Sequence, residues 1–196
     1  VFGFDSFKEL FGFGSKLLVS GLVGTLLQNI NYIIIAKYFT PQELGYFTRA
    51  EMLKNLPSQN ISSIITTVGY PVLAQLQDDP VKMKKAFRYM LVNTFFIISI
   101  LMAGLAATAK PLILTLIGHQ WLPSVILLQM LAFLGVMVPL NSMNINILNV
   151  VGRSDLYMKL QFVVQALAIP NIFVGAFFGI KALIVGMIVI WLAGYV

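Results

Sequence analysis

Long, mainly apolar runs separated by short polar gaps dominate the chain, and their lengths match a bilayer. A spanning helix needs about 20 mainly apolar residues. Such runs fall at residues 16–37, 42–77, 88–109, 122–149, 157–178 and 181–196. They are continuous rather than alternating, which argues against a transmembrane barrel. The third, fourth and fifth lack the polar outer face that a soluble bundle needs. The pattern predicts an all-α fold, a polytopic transmembrane helix bundle with about six spans.

The gaps add detail. In residues 1–13, Phe4, Phe7 and Phe11 share a helical face while Asp5, Lys8 and Glu9 are polar. This predicts an interfacial amphipathic helix, followed by a six-helix transmembrane lobe over 14–196. The second run is unusual. Pro41 suits a first helical turn, and a helix from there to about Gln77 is longer than a hydrocarbon core of about 30 Å. It must project, tilt or bend, and Pro57 and Pro71 are expected to kink it. Asp78 and Asp79 are expected to cap a helix starting near Pro80. PLILTLIGHQWLP is too short to span and reads as an interfacial or re-entrant piece. Pro139 and Pro170 lie inside later runs, and Gly179–Lys181 reads as a tight turn. The chain lacks an initiator Met and stops within an apolar run, so it is expected to be a piece of a longer protein.

Composition agrees: 59% of residues are hydrophobic and 10% charged, against about 25% charged in soluble domains. The mean hydropathy is +0.89. Net charge is +6, but the basic residues are concentrated. With six alternating spans, eight (Lys8, Lys16, Lys82, Lys84, Lys85, Arg88, Arg153, Lys159) fall on one side and three (Lys37, Lys110, Lys181) on the other. Positive charge collects in cytoplasmic loops, so the first set is placed in the cytoplasm. The same reading accounts for the basic patch without nucleic acid. Tyr38, Phe39, Tyr46, Trp121 and Tyr157 lie near span ends, as interfacial aromatics do. The absence of cysteine excludes disulfides and thiolate metal sites.

No catalytic constellation is present, so the chain is not expected to be an enzyme, and no cofactor is implied. His119 stands alone, and no nucleotide-binding GxxxxGK[ST] occurs. The informative charges are Arg49, Glu51 and Lys54, because ionisable groups in a span usually face a cavity or a partner. Glu51 and Lys54 are spaced to pair on one helix face. Arg49 sits about 140° from Lys54 and about 160° from Glu51. It therefore needs an anion from another helix, from lipid headgroups or from a substrate. A guanidinium matches phosphate oxygens; alternatively, a headgroup-level Arg or Lys snorkels at little cost. Amides are the second feature: Gln28, Asn29 and Asn31; Asn141, Asn144, Asn146 and Asn149; Gln165 and Asn171. They can bond sugar hydroxyls or bridge helices. The four in the fourth run spread over about 200°, so they do not all face one cavity.

At the level of whole segments, FGSKLLVSGLVGTLLQNINYIIIAKYFTPQELGYFTRAEMLKNLP resembles the start of the carboxy-terminal lobe of Wzx-type polysaccharide and lipopolysaccharide exporters. PVLAQLQDDPVKMKKAFR, PLILTLIGHQWLPSVILLQML and LNSMNINILNVVGRSDLYMKLQ resemble the same family in order. These exporters belong to the multidrug/oligosaccharidyl-lipid/polysaccharide superfamily. The resemblance implies one lobe of a two-lobe transporter in a bacterial inner membrane, working with an amino-terminal lobe. It implies flipping of an oligosaccharide carried on polyprenyl pyrophosphate, in contact with membrane lipid and compatible with a coupling ion. Carried onto this chain, Arg49 and, less closely, Lys54 would hold the pyrophosphate. Gln28, Asn31 and Asn141 are the candidate amides for pyrophosphate or sugar. A cation-coupled small-molecule exporter of the same superfamily is the alternative, with Glu51 as the acid available within a run.

Overall fold

The computed structural model describes residues 36–194, with some side chains of the sixth helix left undescribed. The expected interfacial helix at 1–13 and almost all of the run at 16–37, with Gln28 and Asn31, lie outside the described residues. Within them every regular element is helical. The order is α1 (Pro41–Ile64), a π-helical turn (Ile65–Gly69), α2 (Tyr70–Gln75), α3 (Pro80–Ala107), α4 (Ala109–Leu116), a 3-10 turn (His119–Trp121), α5 (Ser124–Val150), α6 (Ser154–Phe178) and α7 (Ile180–Gly194).

Local chemistry sets the start of α1. The Glu43 amide donates to Thr40 Oγ1 at 3.2 Å, and the Thr40 amide donates to Glu43 Oε2 at 2.9 Å. This reciprocal capping box satisfies two amides that the first turn leaves free, and Pro41 supplies a preset φ. Pro57 is accommodated within the helix. The helical path continues from α1 to Gln75, with a π turn before Pro71. A proline ring clashes with the carbonyl four residues back, here Thr67. The wider π turn, which contains Thr67, loosens the backbone where that clash would fall.

The third helix begins at Pro80, eight residues ahead of the apolar run expected from 88. Asp79 accepts the Lys82 amide at 3.0 Å and pairs with the Lys82 ammonium at 3.0 Å. Lys82, Lys84, Lys85 and Arg88 therefore ride exposed on the first turns of α3 rather than in a loop. The Asp79 carboxyl is held below the usual carboxylate range, chiefly by its hydrogen bond from the Lys82 backbone.

The short piece after α3 folds as α4 and the 3-10 turn, with Gly118 at φ 103° between them. Only glycine adopts that angle without strain. Ala109 and Ile113 of α4 are buried in one core with Phe47, Ala50, Leu127, Leu128 and Leu131.

Helix α5 is the hub. Every other α-helix among the described residues packs against it, which is why it buries side chains all around, from Leu127 and Leu128 to Leu140 and Met143. On the α3 side, Ile98 and Met102 meet Ala132, Val136 and Leu140. Gly179, at φ 91°, turns α6 into α7. Asn171 Nδ2 then donates to the Leu183 carbonyl at 3.0 Å across that hairpin. A Cβ at Gly186 would collide with the Asn171 carboxamide, so the glycine admits the amide. Asn171 thus bridges two helices, one of the two roles open to it.

The exterior is apolar. Val92, Phe95, Phe96, Ile97 and Ile100 of α3 point outward, as do Phe173, Phe177, Phe178 and Val189 of the α6–α7 hairpin. Among the described residues, α3 and α5 are long and apolar enough to cross a membrane. Shorter apolar stretches follow at Ala166–Phe178 and Ile180–Gly194.

Candidate functional site

The first helix carries two chemically different faces. Its inner face holds Phe47, Ala50, Leu53, Lys54 and Ser58 against the bundle. The Ser58 hydroxyl donates to the Gly135 carbonyl of α5 at 3.0 Å and lies equally close to the carbonyl of Lys54. Lys54 is 6% exposed and its ammonium lies 3.7 Å from the Glu51 carboxylate. A Cβ at Gly135 would sit 3.0 Å from Lys54 Cγ and closer still to Met102. The absence of a side chain at 135 is therefore what lets the lysine stem and Ser58 reach α5. The pairing of Glu51 with Lys54 follows the three-residue spacing.

The outer face is polar. Thr48, Met52, Asn55, Leu56, Gln59 and Asn60 line an open groove of about 430 Å³. Residues 48, 52, 55 and 59 follow helical spacing, so they form one stripe. Ser63 and Thr66 lie exposed beyond it. Thr48 and Asn60 turn part of their hydrogen-bonding capacity back on α1, to the carbonyls of Leu44 and Leu56. Asn55 and Gln59 add amide groups to the groove wall.

Arg49 is exposed at the edge of this stripe. Its guanidinium carbon lies 5.3 Å from the Trp121 ring centroid, a cation–π distance. Nη1 also approaches Met52 Sδ at 3.9 Å. Trp121 comes from the 3-10 turn far along the chain and meets Tyr46 edge-on, centroids 5.9 Å apart and planes at 90°. A Cβ at Gly45 would stand 3.4 Å from Trp121 Cζ3, so this glycine lets the indole lie close to α1.

The sequence-derived candidates are thus separated. Arg49 and Lys54 diverge, one outward and one inward, as their angular spacing requires. Asn141 is half-buried on α5, six residues or about 9 Å beyond Gly135, and makes no hydrogen bond to Arg49 or Lys54. The four asparagines of α5 do occupy different settings: Asn146 is buried, Asn141 and Asn144 are half-buried, and Asn149 is exposed. His119 is exposed, and no cluster of three metal-ligating side chains occurs among the described residues. Asn55, Gln59 and Asn60 were not singled out from the sequence, although their helical register with Thr48 and Met52 was there to read. The placement of Trp121 over Arg49 had no local signal.

The described residues thus form a helical bundle with an apolar exterior, two helices long and apolar enough to cross a membrane, and one polar, cation-bearing helix face. Comparison with known proteins gives the family. The chain belongs to the polysaccharide biosynthesis protein family, whose profile matches residues 1–126. It is 30% identical over 156 residues to the teichuronic acid biosynthesis protein TuaB of Bacillus subtilis (strain 168), covering 80% of this chain and 32% of that protein. It is 25% identical over 164 residues to the lipopolysaccharide biosynthesis protein WzxC of Escherichia coli (strain K12), covering 83% and 33%. It is 24% identical over 121 residues to the succinoglycan biosynthesis transport protein ExoT of Rhizobium meliloti (strain 1021), covering 62% and 24%. The chain spans about a third or less of the length of these relatives. No solved structure matches it.

Proposed function

We propose that this chain is a six-helix lobe of a transporter that flips a polyprenyl-pyrophosphate-linked oligosaccharide across a bacterial cytoplasmic membrane. The single observation that carries the reading is the outer face of α1, where Arg49 stands at the head of a polar groove on an otherwise apolar bundle. A pyrophosphate bearing several sugars does not cross hydrocarbon unaided. A polar wall between two lobes gives it a path by alternating access. Arg49 supplies a fork of donors for the pyrophosphate oxygens, and Asn55, Gln59 and Asn60 supply donors and acceptors for sugar hydroxyls. Gln28, Asn31 and Asn141 are further amides for the same ligand. Lys54 is not assigned to it, because its ammonium is buried against Glu51. That pairing also occupies the acid a cation-coupled exporter would use. The basic first turns of α3 face the cytoplasm, and the missing wall is a second lobe of the same protein. The reaction moves a molecule without making or breaking covalent bonds.

The test uses the full-length protein in cells lacking the chromosomal gene. Arg49→Ala is expected to reduce surface polysaccharide by about ten- to a hundredfold at equal expression, the worth of one charge-assisted contact. Arg49→Lys should restore part of it. Normal assembly in the Arg49→Ala strain would overturn the assignment.

A further inference from the structure

At the mouth of this face lies a second hollow that the pyrophosphate reading does not use. Pro41, Gln42, Gly45, Tyr46, Gln120 and Trp121 enclose an open space of about 250 Å³. Its walls come from two places far apart in the chain, the first turns of α1 and the 3-10 turn before α5. Tyr46 and Trp121 stand at right angles, forming an aromatic corner. Gln42 and Gln120 are exposed at its rim. The corner is built rather than incidental: Gly118 at φ 103° permits the turn that carries Trp121, and Gly45 lets the indole close on α1. Arg49 fixes the indole from below by its cation–π contact.

From this geometry we propose that the hollow is a saccharide subsite, holding one sugar ring of the transported glycan where α1 begins. The chemistry is that of a pyranose. One side of the ring presents weakly positive C–H groups, which suit the negative face of an aromatic ring. Its edge presents hydroxyls, each both donor and acceptor, which suit the two-sided hydrogen bonding of a carboxamide. Two rings and two amides around a space of this size fit one sugar ring with its edge toward Gln42 and Gln120. The ring held here lies on the side of Arg49 toward the start of α1, opposite the groove amides at 55, 59 and 60, so the glycan passes Arg49 along the face of α1. The inference rests on the flippase reading, and it adds a recognition element specific to sugar rather than to phosphate.

The test separates the two. The probe is the free oligosaccharide released by mild acid from the producing cell's own lipid-linked intermediate, carrying neither phosphate nor lipid. Binding to the purified full-length protein in nanodiscs is measured by calorimetry. Saturable binding is expected, weakened about three- to tenfold by Trp121→Leu and by Tyr46→Leu, and largely kept by Trp121→Phe. The surface double variant Gln42→Ala/Gln120→Ala, whose exposed side chains leave the fold intact, is expected to weaken it about threefold or more. Absence of saturable binding, or binding unchanged in both Trp121→Leu and the glutamine double variant, would overturn the subsite and leave Trp121 as an interfacial anchor. Those results would not touch the flippase reading, which stands or falls on export by Arg49→Ala.

Discussion

Lys54 and Arg49 are cations five residues apart on one helix, and the fold treats them in opposite ways. Lys54 enters the contact between α1 and α5, where Glu51 neutralises it and Gly135 makes room for its stem. Arg49 turns outward, lies over the Trp121 ring and has no carboxylate beside it among the described residues. A guanidinium resting on a π face keeps most of its hydrogen-bonding edge for another ligand. An ammonium buried against a carboxylate does not. The contrast separates a charge kept for packing from a charge left facing outward.

The largest expected effect sharpens that contrast. Removing surface polysaccharide through Arg49→Ala, as above, should leave the thermal stability of the purified full-length protein within about 1 kcal/mol, the worth of an exposed cation–π contact. Glu51→Ala should do the reverse. It leaves the Lys54 ammonium buried without its partner, at a cost on the order of 3 kcal/mol. The double variant Glu51→Leu/Lys54→Met should recover most of that stability and still export. If the double variant folds but loses export at the level of Arg49→Ala, the two faces are not functionally distinct.

Gly135→Val tests the inner face from the side of α5. Its side chain would overlap Met102 and press on Lys54. A loss of about 1–3 kcal/mol is expected from overpacking, read as a fall in unfolding temperature in detergent. An unchanged Tm would show that α1 and α5 are less closely packed than Ser58 and Gly135 indicate.

The smallest effect is electrostatic and lies outside the bundle core. The Asp79 carboxylate caps α3, and its pKa is depressed in the folded state. A depressed folded pKa gives stability that is present above the unfolded carboxylate value and lost as pH falls through the folded one. Wild type should therefore lose a small increment of stability at acid pH that Asp79→Asn lacks, with the two curves converging below the usual carboxylate range. Identical pH profiles would show that the cap contributes nothing.

Much of the fold is legible in the sequence, because run length and helix signals are local. Pro41, Asp79–Pro80 and the glycine at 179 mark helix ends that the structure places there. The start of α3 at Pro80 is legible in the Asp79–Pro80 signal, whereas the apolar run by itself begins only at 88. At Pro71 the sequence identifies the clash, and so an expected kink, but not the π turn by which the backbone relieves it. At the candidate site, the angular divergence of Arg49 and Lys54 was readable from helical geometry. The amides at 55, 59 and 60 share that geometry and gain meaning once α5 is seen on the opposite side.

The sequence by itself determined an all-helical, apolar chain and a helix with cations on two faces, since composition and periodicity are properties of consecutive residues. Only the tertiary structure decided which cation is spent on packing and which is left outward. It also decided that Trp121 roofs Arg49 and shares a hollow with Tyr46. Those outcomes depend on contacts between residues distant in the chain. They are set by which surfaces bury together around α5, where a missing side chain at Gly135 or Gly45 decides how closely two elements approach.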